Sequence, residues 1–391
     1  MRRSLLIAMI PLAMAAAGCS SPTATAVETG ALVSSEGAAG DPAFRVSVVA
    51  DFDQPWAMAF LPDGRLLVTE KPGAMKVLRW DDAGAAPVTL PVTGVPEVDL
   101  GGQGGLGDVM PHSDFADNGW VYFSYAEAGQ GDTRGAVVQR GKLDCGAEAC
   151  SLTDIEDIWR QSPKVSGRGH YSHRIVFGPQ GYLWIASGDR QKMDPAQELG
   201  NTLGTVVRLN DDGSVPADNP FVGQDGANPE IWSYGHRNIL GMAFGPDGVL
   251  WDLEHGPAGG DELNAVVRGQ NYGWPVVSDG SHYDGTPIPD HDSRDDFAAP
   301  AISWTPMIAP GNLVFYGGDL FPRWAGHAIA SGLKSQGLVF IEANGTAATE
   351  VARYPLGARI RCVVEGPDGA LWVLEDERGD SQGRLLRLGA G

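Results

Sequence analysis

One stretch of the chain, residues 229–275, concentrates residue types that strand building does not require. It reads PEIWSYGHRNILGMAFGPDGVLWDLEHGPAGGDELNAVVRGQNYGWP. The Pro246-Asp247-Gly248 turn has a structural reason, because glycine tolerates the positive φ of such turns. The other notable residues flank the paired strands, where loops usually carry function; they are Arg237, Asn238, His255, Gly256, Pro257, Glu262 and Tyr272. A Gly-rich loop with carboxylates suits a hard cation such as Ca²⁺, which takes carboxylate and carbonyl oxygens.

Cations elsewhere in the chain indicate an anionic ligand. Arg237 and Asn238 offer paired donors to a carboxylate oxygen. Lys334 lies in SGLKSQGLVF, and Arg359 and Arg361 lie in ARIRCVVEGPDG. Alternation along a strand puts both arginines of that second segment on one face. The chain has a formal net charge of −21, so a cluster of cations within it needs an anionic partner. The same charge argues against binding to nucleic acid.

Two histidines compete for the role of general base. His170 lies in SGRGHYSHRIVFGPQG, just before a predicted strand, and imidazole accepts a proton near neutral pH. His173 follows three residues later. Asp189 ends the next strand, in ASGDR, where it either lines a pocket, supports the base or lies at a surface turn.

Two further residues suit a flat ligand. Gln103 has four flanking glycines, in DLGGQGGLGDVM, and such a loop can approach a ligand closely. Trp304, in AISWTPMIAPGN, either stacks on a planar ring or belongs to the core.

A repeated pattern predicts the elements that position these residues. An apolar pair, a P-x-G turn and an apolar strand recur in AFLPDGRLLVTE (59–70), VFGPQGYLWIASGD (176–189), AFGPDGVLWDLEHG (243–256) and VEGPDGALWVLEDE (364–377). Degenerate copies are DFADNGWVYFSYA (114–126) and NLVFYGGDLFPRWAGHAIASGL (312–333). Short strands and tight turns at this spacing predict an all-β fold, a six-bladed β-propeller, whose loops converge around a central channel. An irregular β-sandwich does not account for six such turns.

The N-terminal segment predicts export. Residues 1–18 form a basic and then apolar signal peptide. Gly18-Cys19 resembles a bacterial lipobox, which predicts lipidation of Cys19; the alternative is an ordinary signal peptide with a coincidental cysteine. Residues 19–42 are rich in small polar residues and predict a flexible tether, leaving 43–391 as the propeller domain.

The remaining cysteines also carry predictions. In an oxidising compartment, Cys145 and Cys150 are predicted to form a disulfide, which leaves Cys362 unpaired and buried.

The motifs SYGHRN, HGPAGGDELN and GQNYGWP resemble those of the soluble pyrroloquinoline-quinone (PQQ) dependent aldose sugar dehydrogenases, relatives of soluble quinoprotein glucose dehydrogenase. The resemblance covers about residues 44–388. It implies that His170 is the catalytic base, with His173 standing where the family has glycine, and that Asp189 contacts substrate. It implies PQQ contacts at Gln103, Arg237, Asn238, Trp304, Lys334, Arg359 and Arg361. It also implies a cofactor Ca²⁺ on the carbonyls of Gly256 and Pro257 and a second, structural Ca²⁺ on the side chains of Glu262 and Tyr272. Cys362 stands where the family has aspartate after the arginine pair.

The chemistry that the resemblance implies is oxidation of an aldose at C1. His170 would take the proton of the anomeric hydroxyl, the C1 hydrogen would pass as hydride to PQQ, and Arg237 would stabilise the negative charge that develops. The product would be an aldonolactone, and the electrons would pass to an external acceptor, a cytochrome or a quinone. Two alternatives stay open: a Ca²⁺-dependent lactonase-type propeller, and a non-catalytic propeller that binds sugar or protein.

Overall fold

The computed structural model describes residues 29–391 except residues 39 and 83. The predicted signal peptide, Cys19 and the first part of the predicted tether lie outside these residues. The later part of that tether includes a strand, Thr29–Val33, which pairs with the strand Phe44–Asp51, so the segment from residue 29 is not free chain. Within the described residues, no helix is long and apolar enough to cross a membrane.

Nearly all the regular secondary structure is strand, which confirms the all-β prediction. The described residues also include one short helix, α1 (Phe115–Asn118), and three short 3-10 turns. The strands in order are β1 (Thr29–Val33), β2 (Phe44–Asp51), β3 (Pro55–Phe60), β4 (Leu66–Glu70), β5 (Ala74–Arg79), β6 (Val88–Thr93), β7 (Leu106–Pro111), β8 (Trp120–Ala128), β9 (Arg134–Cys145), β10 (Cys150–Arg160), β11 (Ser172–Phe177), β12 (Leu183–Ser187), β13 (Thr205–Leu209), β14 (Ile231–Tyr234), β15 (Ile239–Phe244), β16 (Leu250–Glu254), β17 (Asp261–Ala265), β18 (Ile302–Trp304), β19 (Pro310–Phe315), β20 (Ala328–Gly332), β21 (Gly337–Asn344), β22 (Ala347–Pro355), β23 (Ile360–Glu365), β24 (Leu371–Glu375) and β25 (Arg384–Ala390).

The strands form antiparallel groups of four in chain order. Three sheets contain β11–β14, β15–β18 and β19–β22. An eight-stranded sheet combines β3–β6 with β7–β10 through a parallel contact between β6 and β10. The last sheet has the order β1-β2-β25-β24-β23, so strands from both ends of the chain share it. Each predicted P-x-G hairpin joins the first two strands of a group.

The first strands of the groups contact one another in a closed ring. β3 touches β7, and contacts continue through β11, β15, β19 and β23 back to β3. Apolar side chains fill the spaces between neighbouring groups, so that the core is a series of clusters around the ring.

Each of these six first strands carries an extra residue near its beginning, where its register against the second strand shifts by one. A β-bulge of this kind turns a side chain out of the regular ladder. In each group, one residue is second in the first strand; in chain order these residues are Trp56, Gly107, His173, Leu240, Gly311 and Arg361. We call this set the bulge ring. Beneath it, the buried guanidinium of Arg174 donates to the carbonyls of Leu240 at 2.5 Å and Gly311 at 2.6 Å.

The cysteine predictions are confirmed. Cys145 and Cys150 face each other at the β9–β10 hairpin and form a disulfide. Cys362 is buried and is not bonded to another described cysteine.

Candidate functional site

A pocket of about 450 Å³ opens at the beginning of the first strands, above the bulge ring. It brings together residues from loops that are far apart in sequence: Gln54, Trp56, Lys71, Gly102, Gln103, Tyr171, Ser172, His173, Asn238, Leu240, His255, Ala309, Leu333, Arg359, Arg361, Asp376, Glu377 and Arg378. Four of these carry positive charge and two carry negative charge. The pocket is therefore locally basic in a strongly acidic protein, and its chemistry suits an anionic ligand.

Asp376 holds the two predicted arginines in the pocket wall. Its Oδ2 lies 2.9 Å from Nη2 of Arg359, and its Oδ1 lies 3.0 Å from Nη2 of Arg361. Burial, the largest influence, raises the pKa of Asp376, but the positive charges and hydrogen bonds of Arg361 and Arg359 outweigh it and leave the pKa below its ordinary value. Cys362 follows the arginine pair, yet the pair still has a carboxylate partner. The partner comes from the end of the neighbouring strand β24.

Lys71 is a pocket cation that the sequence analysis missed. Its Nζ donates to the carbonyl of Gly102 at 3.1 Å, beside Gln103. Burial and then the charge of Arg361 lower its pKa. A signal was present in the sequence: Lys71, His255 and Asp376 each stand seven residues after the turn glycine of a P-D-G repeat. All three line the pocket.

His170 lies on the loop before β11; it is not part of the pocket lining but adjoins the lining residues Tyr171 and Gln103. Its Nδ1 lies 2.6 Å from Oδ1 of Asp189, and its backbone N–H donates to Oε1 of the pocket residue Gln103 at 2.6 Å. Burial, partly offset by Asp189, lowers the pKa of His170, so the imidazole is neutral at neutral pH. With Nδ1–H donated to the carboxylate, Nε2 keeps a lone pair and makes no hydrogen bond to a described residue. This arrangement can accept a proton.

The prediction that Asp189 contacts substrate is corrected. Its side chain is 0% exposed and lies behind the imidazole of His170. Its Oδ2 accepts a hydrogen bond from Nε1 of Trp274 at 2.8 Å. Both carboxylate oxygens are therefore engaged inside the protein, which corresponds to the alternative that Asp189 supports the base. The hydrogen bond from His170 offsets the effect of burial and lowers the pKa of Asp189.

Arg237 and Asn238 follow β14 and are both buried. Asn238 lines the main pocket, and its Oδ1 accepts the backbone N–H of Ser172 at 3.2 Å. Arg237 donates to the carbonyl of His255 at 3.0 Å and to the hydroxyl of the exposed Tyr283 at 3.1 Å. Its buried Nε has no hydrogen-bond partner among the described residues. Arg237 therefore keeps one buried donor that the described residues leave unpaired.

The loop from His255 to Gly260 presents free carbonyls. The carbonyls of Gly256 and Pro257 accept no hydrogen bond from any described residue. Gly256 could not be another residue, because an added Cβ would lie 2.1 Å from the carbonyl oxygen of Gly260. Beside Gly256 lies a cavity of about 10 Å³, which also touches Glu254 and Glu262. Unpaired carbonyl oxygens with carboxylates nearby are a donor set that fits a hard cation.

The side chain of Tyr272 does not fit the role of a calcium ligand, and that prediction is corrected. Its hydroxyl donates to the carbonyl of Ala265 at 2.5 Å and accepts the backbone N–H of Val267 at 2.8 Å. The carbonyl of Tyr272 accepts from Nε2 of His291 at 3.1 Å. Glu262 is buried, and burial followed by the negative charge of Glu254 raises its pKa well above its ordinary value. The Tyr272 hydroxyl is thus engaged elsewhere, while Glu262 remains one of the two carboxylates beside the small cavity at Gly256.

Three predicted cofactor contacts lie outside the pocket lining: Arg237, described above, Trp304 and Lys334. Trp304 is a core residue, packed in the same cluster as Leu253 and Leu263, and its Nε1 donates to Oε2 of Glu350 at 2.8 Å. It stands on β18, the strand of its sheet furthest from the channel, so the predicted stacking role is wrong. Lys334 is exposed and directly follows the pocket residue Leu333. Its ammonium forms no salt bridge with a described residue.

Comparisons with known proteins define the class. The sequence pattern of the Glucose / Sorbosone dehydrogenase family matches residues 52–387. The aldose sugar dehydrogenase YliI of Escherichia coli (strain K12) is 41% identical over 352 residues, covering 88% of this chain and 92% of that protein. The chain therefore belongs to the glucose/sorbosone dehydrogenase family, which confirms the resemblance that its motifs indicated.

Solved structures agree with this assignment. The soluble aldose sugar dehydrogenase of Escherichia coli, in its apo form, superposes with a TM-score of 0.82 at 40% identity, covering 89% of this chain and 100% of that one. The PQQ-bound form of an aldose sugar dehydrogenase from Streptomyces coelicolor superposes with a TM-score of 0.74 at 26% identity, covering 93% and 100% of the two chains.

Proposed function

We propose that this protein is a PQQ- and Ca²⁺-dependent aldose dehydrogenase that oxidises a sugar at C1 to an aldonolactone. One observation carries the proposal: a basic pocket with amide and aromatic walls lies beside a histidine whose Nδ1 is held by a buried carboxylate. The printed names of the relatives, which include an aldose sugar dehydrogenase and a PQQ-bound structure, support the choice of substrate and cofactor. We further propose that the six groups of strands are the blades of a six-bladed β-propeller, since their first strands form a closed ring.

The donor set fits the cofactor. PQQ is a planar tricarboxylate, and the pocket offers Lys71, Arg359 and Arg361 as cations, with the amides of Gln103 and Asn238. The exposed ammonium of Lys334 stands next to this lining. Gly256 and Pro257 would hold the cofactor calcium through their free carbonyls. When bound, PQQ would supply a two-electron acceptor, and Ca²⁺ would supply a Lewis acid.

Four side chains near the pocket would have distinct roles in the reaction. His170 holds an unprotonated Nε2 ready to accept a proton from the anomeric hydroxyl. Asp189 fixes the tautomer and ring orientation of His170, and Trp274 fixes Asp189. The unpaired Nε of Arg237 is a donor that can stabilise negative charge developing at the reacting centre. The electrons would leave to an external acceptor, a cytochrome or a quinone.

The same lining weighs against the lactonase alternative. A Ca²⁺-dependent hydrolase needs acidic ligands around its central channel. Here Asp376 is already bound by Arg359 and Arg361, and cations outnumber acids in the pocket. A sugar- or protein-binding module without catalysis would have no need for the orienting contact between Asp189 and His170.

Reconstitution tests the proposal. Protein lacking the first nineteen residues would be mixed with PQQ and Ca²⁺, and dye reduction followed with a panel of aldoses beside a His170→Ala control. We expect reduction that needs PQQ, Ca²⁺ and His170. If PQQ binds and no aldose reacts, the substrate class is wrong; if PQQ does not bind in the presence of Ca²⁺, the cofactor assignment is wrong.

We also propose export and anchoring through a lipidated Cys19, on the basis of the signal-like N-terminus. Expression in a bacterial host should give a membrane-associated protein, and Cys19→Ser should release it to the soluble fraction. Recovery of the unaltered protein in the soluble fraction would contradict the anchor.

A further inference from the structure

The bulge ring forms the floor of the pocket, and one of its members is unusual. Trp56, His173, Leu240 and Arg361 line the pocket. Gly107 makes room for the imidazole, because an added Cβ there would lie 2.7 Å from Cγ of His173. Trp56 and Leu240 are apolar surfaces, and Arg361 is paired with Asp376. His173 alone among the four has ring nitrogens that are buried and unpaired.

The backbone conformation at His173 is energetically unfavourable for a residue that has a side chain. Its φ is +72°, a conformation that non-glycine residues rarely adopt. Such positions cost about 1 kcal/mol or more and cluster where the surrounding structure and function require them. A glycine here would have no such strain. The imidazole therefore stands where the backbone favours a residue without a side chain.

The surroundings hold the ring firmly and leave its nitrogens unused. The imidazole stacks on Tyr171 with ring centroids 5.3 Å apart and meets Trp56 edge-on at 5.6 Å. Only 3% of the residue is exposed, and neither Nδ1 nor Nε2 has a hydrogen-bond partner among the described residues. A buried polar group without a partner costs about 1–3 kcal/mol, so unpaired nitrogens on a ring that lines a pocket indicate a partner that enters it.

The charge state of the ring fits that role. Burial, together with the charges of Arg190 and Arg174, lowers the pKa of His173 to about 3. At neutral pH the ring is thus neutral and offers one N–H donor and one acceptor nitrogen. It cannot compete with His170 as the group that gains and keeps a proton.

We infer that His173 is a ligand-positioning residue of this chain: its imidazole lies under the pocket occupant and donates a hydrogen bond to one of its oxygens. This inference rests on the proposed function, in which the occupant is PQQ. Family resemblance puts a glycine at this position, so the contact would be an addition in this protein.

The test is the affinity for PQQ, measured by quenching of tryptophan fluorescence or by calorimetry with Ca²⁺ present. His173→Phe keeps an aromatic ring of similar volume and removes both nitrogens. His173→Gly suits the backbone and also removes them, and His173→Gln keeps a donor and an acceptor. We expect the Phe and Gly variants to bind PQQ about tenfold more weakly, and the Gln variant to bind within about threefold of the unaltered protein. Thermal unfolding of the cofactor-free proteins checks that the four folds are equally intact.

The outcomes separate the two proposals. If the unaltered protein binds PQQ and the Phe and Gly variants bind it equally well, the inference about His173 is wrong and the cofactor assignment stands. If Gln weakens binding as much as Phe, shape and not hydrogen bonding matters, and the inference is again wrong. If the unaltered protein binds no PQQ, both proposals are overturned.

Discussion

Replacing Asp189 with asparagine tests the proposed base most directly. The substitution keeps the shape of the side chain, and Oδ1 can still accept from Trp274 if the amide turns its oxygen towards that residue. Two contacts of the other carboxylate oxygen change: it lies 2.6 Å from Nδ1 of His170, and it accepts the backbone N–H of Gln191 at 2.8 Å. An amide NH₂ at that place would donate to Nδ1 and leave the ring proton on Nε2. The atom that should accept a proton would then already carry one.

The size of the effect follows from this geometry. Asp189 is fully buried, so water cannot replace its charge. General-base catalysis typically contributes about 10²–10⁴-fold, and most of that should be lost when the wrong tautomer is held in place. The carboxylate also favours the protonated imidazole, so its removal should lower the pKa of His170 further below its ordinary value. Any residual activity should therefore keep its plateau to lower pH than in the unaltered enzyme.

The assay is kcat and kcat/KM for PQQ-dependent dye reduction across pH, with PQQ affinity measured in parallel. We expect kcat to fall at least a hundredfold while PQQ affinity changes little, because Asp189 does not line the pocket. Trp274→Phe is the matched control, since it removes a different side-chain hydrogen bond to Asp189 and keeps the carboxylate. A variant Asp189→Asn with activity within threefold of the unaltered enzyme and the same acid limb would refute the orienting role.

Three further outcomes follow from contacts described above. Asp376→Asn should destabilise the protein by about 3 kcal/mol, because Arg359 and Arg361 lose their shared carboxylate. Folding lowers the pKa of Asp376, so the difference in Tm between the variant and the unaltered protein should be largest at neutral pH. This difference should shrink as the pH falls through the pKa of Asp376 in the folded protein. Gly256→Ala should abolish either the Ca²⁺ requirement for PQQ binding or PQQ binding itself, because the added Cβ would press on the carbonyl of Gly260. PQQ binding would be measured during titration with a chelator. A Ca²⁺ requirement equal to that of the unaltered protein would contradict the prediction. Replacing Cys145 and Cys150 with serine should lower the free energy of unfolding by about 2 kcal/mol, as expected for a short closed loop, with no change in PQQ affinity; a denaturant titration that finds no loss would contradict this.

Sequence patterns predicted the hairpins well because a tight turn between apolar strands is a local property. Pro246, Asp247 and Gly248 specify their turn without help from distant residues. The cysteine pair was predictable for the same reason, since only four residues separate its members. Arg359 and Arg361 were predicted to share a strand face; Arg359 instead precedes β23, and both arginines line the pocket.

Other residues depended on tertiary contacts that local sequence does not encode. Trp304 looks like a ring-stacking residue in sequence, but β18 lies at the far edge of its sheet and buries the indole against the core. Asp189 looks exposed at a strand end, yet His170 and Trp274 enclose it from loops 19 and 85 residues away in sequence. Lys71 carries no motif of its own, and only its position within the repeat marks it.

The pairing of β2 with β25 brings residues 44–51 and 384–390 together within one sheet. The N–H of Gly391 donates to the carbonyl of Ala43 at 3.1 Å, so a short peptide could join residue 391 to residue 43 in a variant that begins at β2. The chain could then be cut at the exposed β21–β22 turn around Gly345. This turn is far in sequence from the pocket residues that the first three groups contribute. Such a circular permutant would keep all six groups. The strands β23–β25 and β2 would follow one another in sequence, and the β19–β22 sheet would instead be formed from the two new ends. It should fold and bind ligand if closure of the ring, and not the order of synthesis, determines the native structure.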